Sequence, residues 1–295
     1  MQRVRALCPD DQLTVISFRE EAHEPPFLDD IRDFAMASGA HFIETRNVAA
    51  PQWESVWSAP IDLLFMVHWR YLLPDALVER PQLASVVFHD SLLPAYRGFS
   101  PTVWAIINGE SEAGVTMLHA AGDVDSGDII DQERVPIGPD DTIRDVFPRT
   151  TDAYLALLER NLPALRAGRA PRRAQAQSLA TYTCKRTPAD ARISWHQSAT
   201  TIHNLIRAST YPYPGAFTYF AGRRMAILAS RLATDTPRYV GAVVGRVIRI
   251  IADTGVVVLT GEGAILITTV QFADGVPMCA ADVIRSIAAT LDDRS

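Results

Sequence analysis

The residues whose types and spacing could do chemistry are His89 and two acids, Asp123 and Asp125. His89 closes the apolar run Val86-Val87-Phe88, and the acids follow a second run that ends at Leu118. One ionisable group at the end of each of two strands is how an open α/β sheet presents a reaction site. Paired, a histidine and a carboxylate can pass a proton to or from a substrate, and a positioned imidazole can offset charge gathering on a carbonyl oxygen. Between them the chain reads Ser91-Leu92-Leu93-Pro94 and then Tyr96-Arg97-Gly98, two tight segments ahead of a helix expected from Pro101. The bland alternative is a core histidine plus an acidic surface turn. It serves for His89 taken alone and poorly for the whole set. His119 and Asp123 hint at a metal, but two ligands without a third read as structural, and no metal is expected. No Walker loop or Ser-His-Asp arrangement is evident in the sequence.

The elements that must position these groups alternate. Residues 1–12 read as the end of a helix and a turn, and residues 13–18 as a strand. Pro25-Pro26 precede a helix with Phe27, Ile31 and Phe34 at helical spacing, closed by Gly39. A strand at 41–45, a helical stretch at 53–57 and a strong strand at 61–69 follow. After Asp125 come a strand at 129–137 and a long helix near 142–167, with Ile143, Val146, Tyr154, Leu157 and Leu158 on one face. This alternation predicts an α/β fold, a Rossmann-like and mostly parallel sheet with helices on both faces. Residues 168–180, rich in Ala, Arg and Gln without periodicity, read as a linker. It divides a catalytic domain, residues 1–170, from a C-terminal β-rich domain, residues 181–295. The latter opens with a short helix at 199–208. Alternating segments follow at 217–220, 225–229, 243–251, 256–260 and 265–270, a small β-barrel in outline.

HDSLLPAYRGFSP followed by GVTMLHAAGDVDSGD resembles the core of the 10-formyltetrahydrofolate-dependent formyltransferases. That family includes methionyl-tRNA formyltransferase, the amino-sugar N-formyltransferases and the N-hydroxyornithine formyltransferases. Its pattern is N-x-H-x-S-L-L-P and then a loop of the type D-x-G-D. ISWHQSATTIHNLIRASTYPYPGAFT resembles the family's C-terminal domain, so the resemblance runs from about residue 13 onward. It implies that His89 and Asp125 are the catalytic pair and that Leu93-Pro94 is a cis bond. It gives Ser91, Leu93, Pro94, Tyr96 and Arg97 substrate or loop roles. It builds the folate pocket from Trp69, Arg70, Leu72 and Leu73 with Gly122, Asp123, Val124 and Asp125.

Two departures stand out. The family's asparagine, two residues before the histidine, is Val87 here, a side chain with no donor. An aliphatic residue also stands there in the hydrolase domain of 10-formyltetrahydrofolate dehydrogenase. Ser91 or a backbone N–H near Leu93 are the candidates to replace the lost donor. The family also starts with a further strand and helix that are not found before residue 13. Without them two strand edges would stand unpaired in the middle of the sheet, so either translation starts upstream or the protein covers the gap in another way.

The resemblance implies 10-formyltetrahydrofolate as formyl donor and a primary amine or hydroxylamine on a small molecule, an amino sugar or amino-acid derivative, as acceptor. One alternative is methionyl-tRNA formyltransferase. Another is a hydrolase of 10-formyltetrahydrofolate, or a folate-binding protein with an impaired site. Composition bears on these. The 295 residues carry a net charge of −6, and 48% of them are hydrophobic. From Lys185 onward basic residues outnumber acidic ones by 12 to 8, whereas in the remainder acidic residues outnumber basic ones by 26 to 16. An acidic catalytic half is not what tRNA phosphates would select, which disfavours nucleic acid as partner while leaving tRNA open. The apolar runs are too short to cross a bilayer, and no charged leader opens the chain, so a cytoplasmic protein is expected, without a membrane partner and compatible with a homodimer. Cys8, Cys184 and Cys279, lacking metal-like spacing, are expected as reduced and buried thiols.

Overall fold

The computed structural model describes residues 1–21, 24, 26–71, 73–273 and 275–292. Strands form where β-branched and aromatic residues run together, and the breaks fall at proline, glycine and aspartate turns. The chain opens with α1 (Gln2–Leu7), β1 (Thr14–Ser17), α2 (Leu28–Ala37) and β2 (His41–Glu44). It continues with α3 (Glu54–Ser58), β3 (Leu63–Val67), α4 (Asp75–Val78) and β4 (Ala84–His89). Then come β5 (Arg97–Gly98), α5 (Pro101–Ile107), β6 (Glu112–His119), β7 (Ile129–Pro136), α6 (Ile143–Arg166) and β8 (Tyr182–Thr183). The last stretch holds α7 (Ala199–Ser209), β9 (Ala216–Phe220), β10 (Arg223–Leu232), β11 (Val247–Ile251), β12 (Gly255–Leu259), β13 (Ala264–Phe272), β14 (Met278–Cys279) and α8 (Ala280–Val283).

Contacts divide these residues into two compact units. The first holds Met1–Gly98, Gly114–Val135 and Thr150–Tyr182, and the second holds Phe99–Ala113, Pro136–Arg149 and Thr183–Ser295. In the first, β1 and β2 pair in parallel as a two-stranded sheet of their own, apart from a four-stranded sheet ordered β3-β4-β6-β7. No described strand joins β1 to β3, which is where the resemblance expects one. The sheet is also less parallel than expected. β3 and β4 run parallel, with Val67 opposite Phe88, but β6 runs antiparallel to β4, with His89 opposite Thr116. β4 alternates between fully and partly buried positions, with Val86 fully buried and Phe88 nearly so, and Tyr154 of α6 lies against the Phe88 ring at 5.3 Å. Both ends of β4 are buried, and its last residue, His89, lies where the loops gather.

The second unit is a six-stranded sheet ordered β11-β12-β13-β10-β9, with β14 on β13. The final residues close it. Leu291 N donates to Gly245 O beside β11, and Asp292 exchanges backbone bonds with Tyr219 of β9 at 2.9 Å, so one segment bridges both edges. That closure is what gives the barrel-like form. Ile193, Trp195, Ile202, Ile206, Met225, Ile227, Val256 and Ile265 fill its interior. Each such side chain, fully buried, contributes about 1.5–3 kcal/mol.

The cysteines correct one expectation. All three are free thiols, but only Cys8 is buried, while Cys184 is exposed and Cys279 intermediate. At Cys184 the fold uses the backbone, not the thiol: its carbonyl accepts from Trp104 Nε1 at 3.0 Å. Among the described residues, no helix is long and apolar enough to cross a membrane.

Candidate active site

The turn after β4 decides where His89 points. Leu93-Pro94 is cis, as the family resemblance implied, and Tyr96 takes a left-handed φ of 61°. Thr116 of β6 pins the turn: it receives Leu93 N at 3.1 Å and donates to Ser91 O at 2.6 Å. Gln132 of β7 then donates to Leu93 O and to Thr116 Oγ1, at 3.0 and 2.9 Å. Held this way, the loop returns Tyr96 O to His89. His89 Nε2 donates to that carbonyl at 2.8 Å, which fixes the imidazole tautomer.

Asp125 arrives from the other side. Its φ of 52° is left-handed, and its Oδ2 accepts Gly98 N at 2.9 Å and stands 3.5 Å from His89 Nδ1. Both side chains are largely buried, 8% and 12% exposed. The two sequence-identified groups therefore meet at the edge of the sheet, with Nδ1 as the ring atom facing the acid. Such a pair can move one proton between a bound group and the imidazole, and the imidazolium so formed can balance charge on a nearby oxygen.

The loop that carries Asp125 is held by a residue the sequence reading did not single out. Gln175 Nε2 donates to Asp125 O at 2.8 Å and to Gly127 O at 2.7 Å. Its Oε1 accepts from Arg97 Nη2 and Nε at 2.6 and 3.2 Å. Gln177 Oε1 and Tyr182 Oη take Arg97 Nη1 at 2.9 and 3.2 Å. Arg173 bridges backbone to backbone with Ile129, and Thr181 O receives Arg97 N. Residues 168–180, read from composition as a linker, thus carry several of the site's bonds. Glutamine gives no periodicity or charge by which this role could have been found.

The remaining residues named from the sequence fall into distinct places. Arg97 is 2% exposed and belongs to the framework, yet its guanidinium borders an open cavity of about 400 Å³ with Asp123, Val124, Ser126, Gln177 and Tyr182. Asp123 O accepts from Ser126 Oγ at 2.9 Å, and Val124 is 52% exposed at the rim. Gly122 is exposed in the same loop. Pro94 O accepts Thr181 N, and Tyr96 N donates to Thr181 Oγ1. Trp69 lies edge-on to Phe18 and Tyr71, and its indole N–H is buried with no hydrogen-bond partner. Arg70 pairs with Glu24 at 2.6 Å and stands over the Phe18 ring. Leu73 is half-buried, and Leu72 lies outside the described residues.

Val87 packs against Leu93, Leu118 and Ile129 and offers no donor. Neither proposed replacement is available to a ligand. Ser91 Oγ donates to Ala95 O at 2.7 Å, and Leu93 N is taken by Thr116. His119 Nε2 faces Pro171 O at 3.0 Å, and burial lowers its pKa, the mark of a neutral structural histidine. Among the described residues, no cluster of three or more His, Cys, Asp or Glu could hold a metal ion.

The family model described as "Formyl transferase" matches residues 30–162, and the one described as "Formyl transferase, C-terminal domain" matches residues 185–288. Solved structures share the fold. An N-formyltransferase from Helicobacter canadensis, in complex with folinic acid and dTDP-3-aminofucose, is 20% identical with a TM-score of 0.67, over 90% of this chain and 94% of that one. HypX from Aquifex aeolicus, in complex with tetrahydrofolic acid, is 18% identical with a TM-score of 0.64, over 94% of this chain and 47% of that one. The chain therefore spans about half the length of HypX. Methionyl-tRNA formyltransferase from Clostridium thermocellum is 20% identical with a TM-score of 0.57, over 76% of this chain and 95% of that one.

Proposed function

The chain belongs to the formyl transferase family, and from that premise we propose that it moves a formyl group from 10-formyltetrahydrofolate to an amine or hydroxylamine nitrogen of a small molecule. The observation that carries this reading is the pairing of His89 with Asp125 at 3.5 Å, on a loop braced by Thr116, Gln132 and Gln175. The folate co-substrate supplies an activated formyl group. The unpartnered indole N–H of Trp69, beside Phe18 and Tyr71, suits a flat heteroaromatic ring with acceptor atoms.

In this reading the acceptor nitrogen gives up one proton and the folate nitrogen that leaves the formyl carbon gains one. Asp125 takes the first proton. His89 receives it at Nδ1, because Nε2 is committed to Tyr96 O. While charged, the imidazolium balances the developing oxygen charge through space, and Asp125 then carries the proton from Nδ1 to the leaving nitrogen. The cavity of about 400 Å³ beside the Asp125 loop is the place for the acceptor. Its mixed lining of Arg97, Asp123, Ser126, Gln177 and Tyr182 suits a polar small molecule.

Val87 supports a second reading, hydrolysis of the same donor. An aliphatic side chain also stands at that position in the hydrolase domain of 10-formyltetrahydrofolate dehydrogenase, and in this second reading water takes the place of the amine. Incubation with 10-formyltetrahydrofolate and a panel of amines and hydroxylamines, read by mass spectrometry, separates the two. A product heavier by one formyl group supports transfer. Tetrahydrofolate released equally with and without every acceptor supports hydrolysis, and release in neither case rejects both.

A further inference from the structure

Three titratable side chains that the reaction above does not use meet at the same sheet edge. They are His68, one residue past β3, Asp90, one residue past His89, and Tyr154 of α6. His68 Nε2 lies 3.2 Å from Asp90 Oδ2 and 2.9 Å from Tyr154 Oη, and the tyrosine hydroxyl also donates to Asp90 Oδ1. The His68 and Tyr154 rings stand edge to face at 5.3 Å. His68 holds a left-handed φ of 52°, a conformation that a residue with a Cβ keeps only where its surroundings fix it. The Asp90 carboxylate is 18% exposed and gripped from two elements, and the His68 ring is 67% exposed.

Charge follows the geometry. Packing around the ring works against a charged His68 although much of its surface meets solvent, and the hydrogen bond and charge of Asp90 outweigh that and raise the histidine's pKa. Burial likewise works against the Asp90 anion, but bonds from His68 and Tyr154 and the nearness of His68 and His89 outweigh it and lower its pKa. Burial first, and then the Asp90 charge, hold the Tyr154 phenol well above its usual pKa. The charged and titratable groups facing the cluster are thus Asp90 from the end of β4, Arg70 from the loop of His68 itself, and His89 beyond Asp90.

We propose that His68 and Tyr154, acting through Asp90, are positioning residues for His89. Tyr154 and His68 clamp the residue that follows His89, and His68, when protonated, balances the Asp90 charge as His89 feels it. The kinetic part of this rests on the formyl-transfer reading, and the spectroscopic part does not.

The test follows the His89 ring by ¹⁵N NMR across pH in the full chain without folate, in the native protein and in Asp90→Asn, His68→Gln and Tyr154→Phe. Asp90→Asn removes a negative charge, so His89 titrates at lower pH. His68→Gln leaves Asp90 unbalanced, so His89 titrates at higher pH. Each displacement is on the order of one pH unit, the scale of a unit charge about 10 Å away near a protein surface. Tyr154→Phe changes no charge. It leaves the midpoint in place and lowers kcat about tenfold with KM kept. Movement of both charge variants in the same direction, or of neither, overturns the proposal and leaves the cluster merely structural. If the native protein transfers no formyl group while the two displacements oppose each other, the reaction assigned above fails and the coupling stands. Melting temperatures show which variants are folded, and His68→Gln and Tyr154→Phe carry the test if Asp90→Asn is not.

Discussion

Asp125 meets His89 from a backbone conformation that side-chain-bearing residues rarely take. At φ 52° its Oδ2 accepts Gly98 N and comes within 3.5 Å of His89 Nδ1. An ordinary extended residue would send the carboxylate elsewhere, so the pair depends on the loop as much as on the two side chains.

His89→Ala and Asp125→Asn should each lower formyl transfer by about 10²-fold or more while the protein stays folded, because the two groups handle one proton in turn. Steady-state rates beside circular dichroism check this. Retention of more than about a tenth of native activity by either variant, where such a group is worth about 10²-fold, would remove it from the assigned role.

Val87→Asn tests the departure from the family pattern. Restoring an amide beside the formyl oxygen should raise transfer, or at least hold it level, and should suppress tetrahydrofolate release without acceptor. Val87 touches Leu93, Leu118 and Ile129, so an amide that finds no partner there costs about 1–3 kcal/mol. Thermal melts must accompany the rates. A folded variant with lower transfer and unchanged release would defeat both active readings of this position.

Gln175→Ala should do disproportionate damage for a residue outside the pair. It strips hydrogen bonds from Asp125 O and Gly127 O and from the buried Arg97 guanidinium. A loss of roughly 2–4 kcal/mol in denaturant unfolding is expected, given about 1–3 kcal/mol for each buried polar group left unmet. Activity should fall with it. Gln175→Glu, which keeps the acceptor and loses the donor, should fall between.

Gly127→Ala should be worse than any exposed loop substitution. A Cβ there would stand 1.8 Å from His119 O, so the backbone of the Asp125 loop must move. Loss of activity with a lowered melting temperature is expected, and a native-like rate would show that the loop adapts freely.

Acid should weaken the Asp141 contact in the second unit. Hydrogen bonds from Arg149 and from Gly138 N lower its carboxyl pKa. A lowered folded-state value stabilises the protein above the unfolded carboxyl pKa, and the gain is lost as pH falls through the folded value. Asp141→Asn should therefore cost on the order of 1 kcal/mol or less at pH 7, since Arg149 is 40% exposed and screened. The difference from native protein should begin to close below about pH 4 and vanish only below the lowered folded-state pKa.

Much of this arrangement was legible in the residues themselves. His89 and Asp125 follow strong apolar runs, and the prolyl turn and glycines between them limit the paths the loop can take. The core strands showed as apolar runs: Val86, Val115 and Met117 are fully buried. What the pattern could not carry was direction and reach. A run such as 112–119 does not say that it lies antiparallel to its neighbour, since both senses bury the same faces. Nor does an arginine in a Tyr-Arg-Gly turn declare that Gln175 and Gln177 will hold it 78 and 80 positions away. Long-range polar pairing leaves no local trace.

That reach sets an order of events in synthesis. β3, β4, β6 and β7 leave the ribosome with everything their sheet needs, and His89 and Asp125 are already present. The Asp125 carbonyl, the Arg97 guanidinium and the Tyr96 amide still await Gln175, Gln177 and Thr181, which are made after the whole of α6. A nascent chain that stops at the end of that helix holds the reactive residues on a loop without these braces, and the bracing arrives only with residues 173–182.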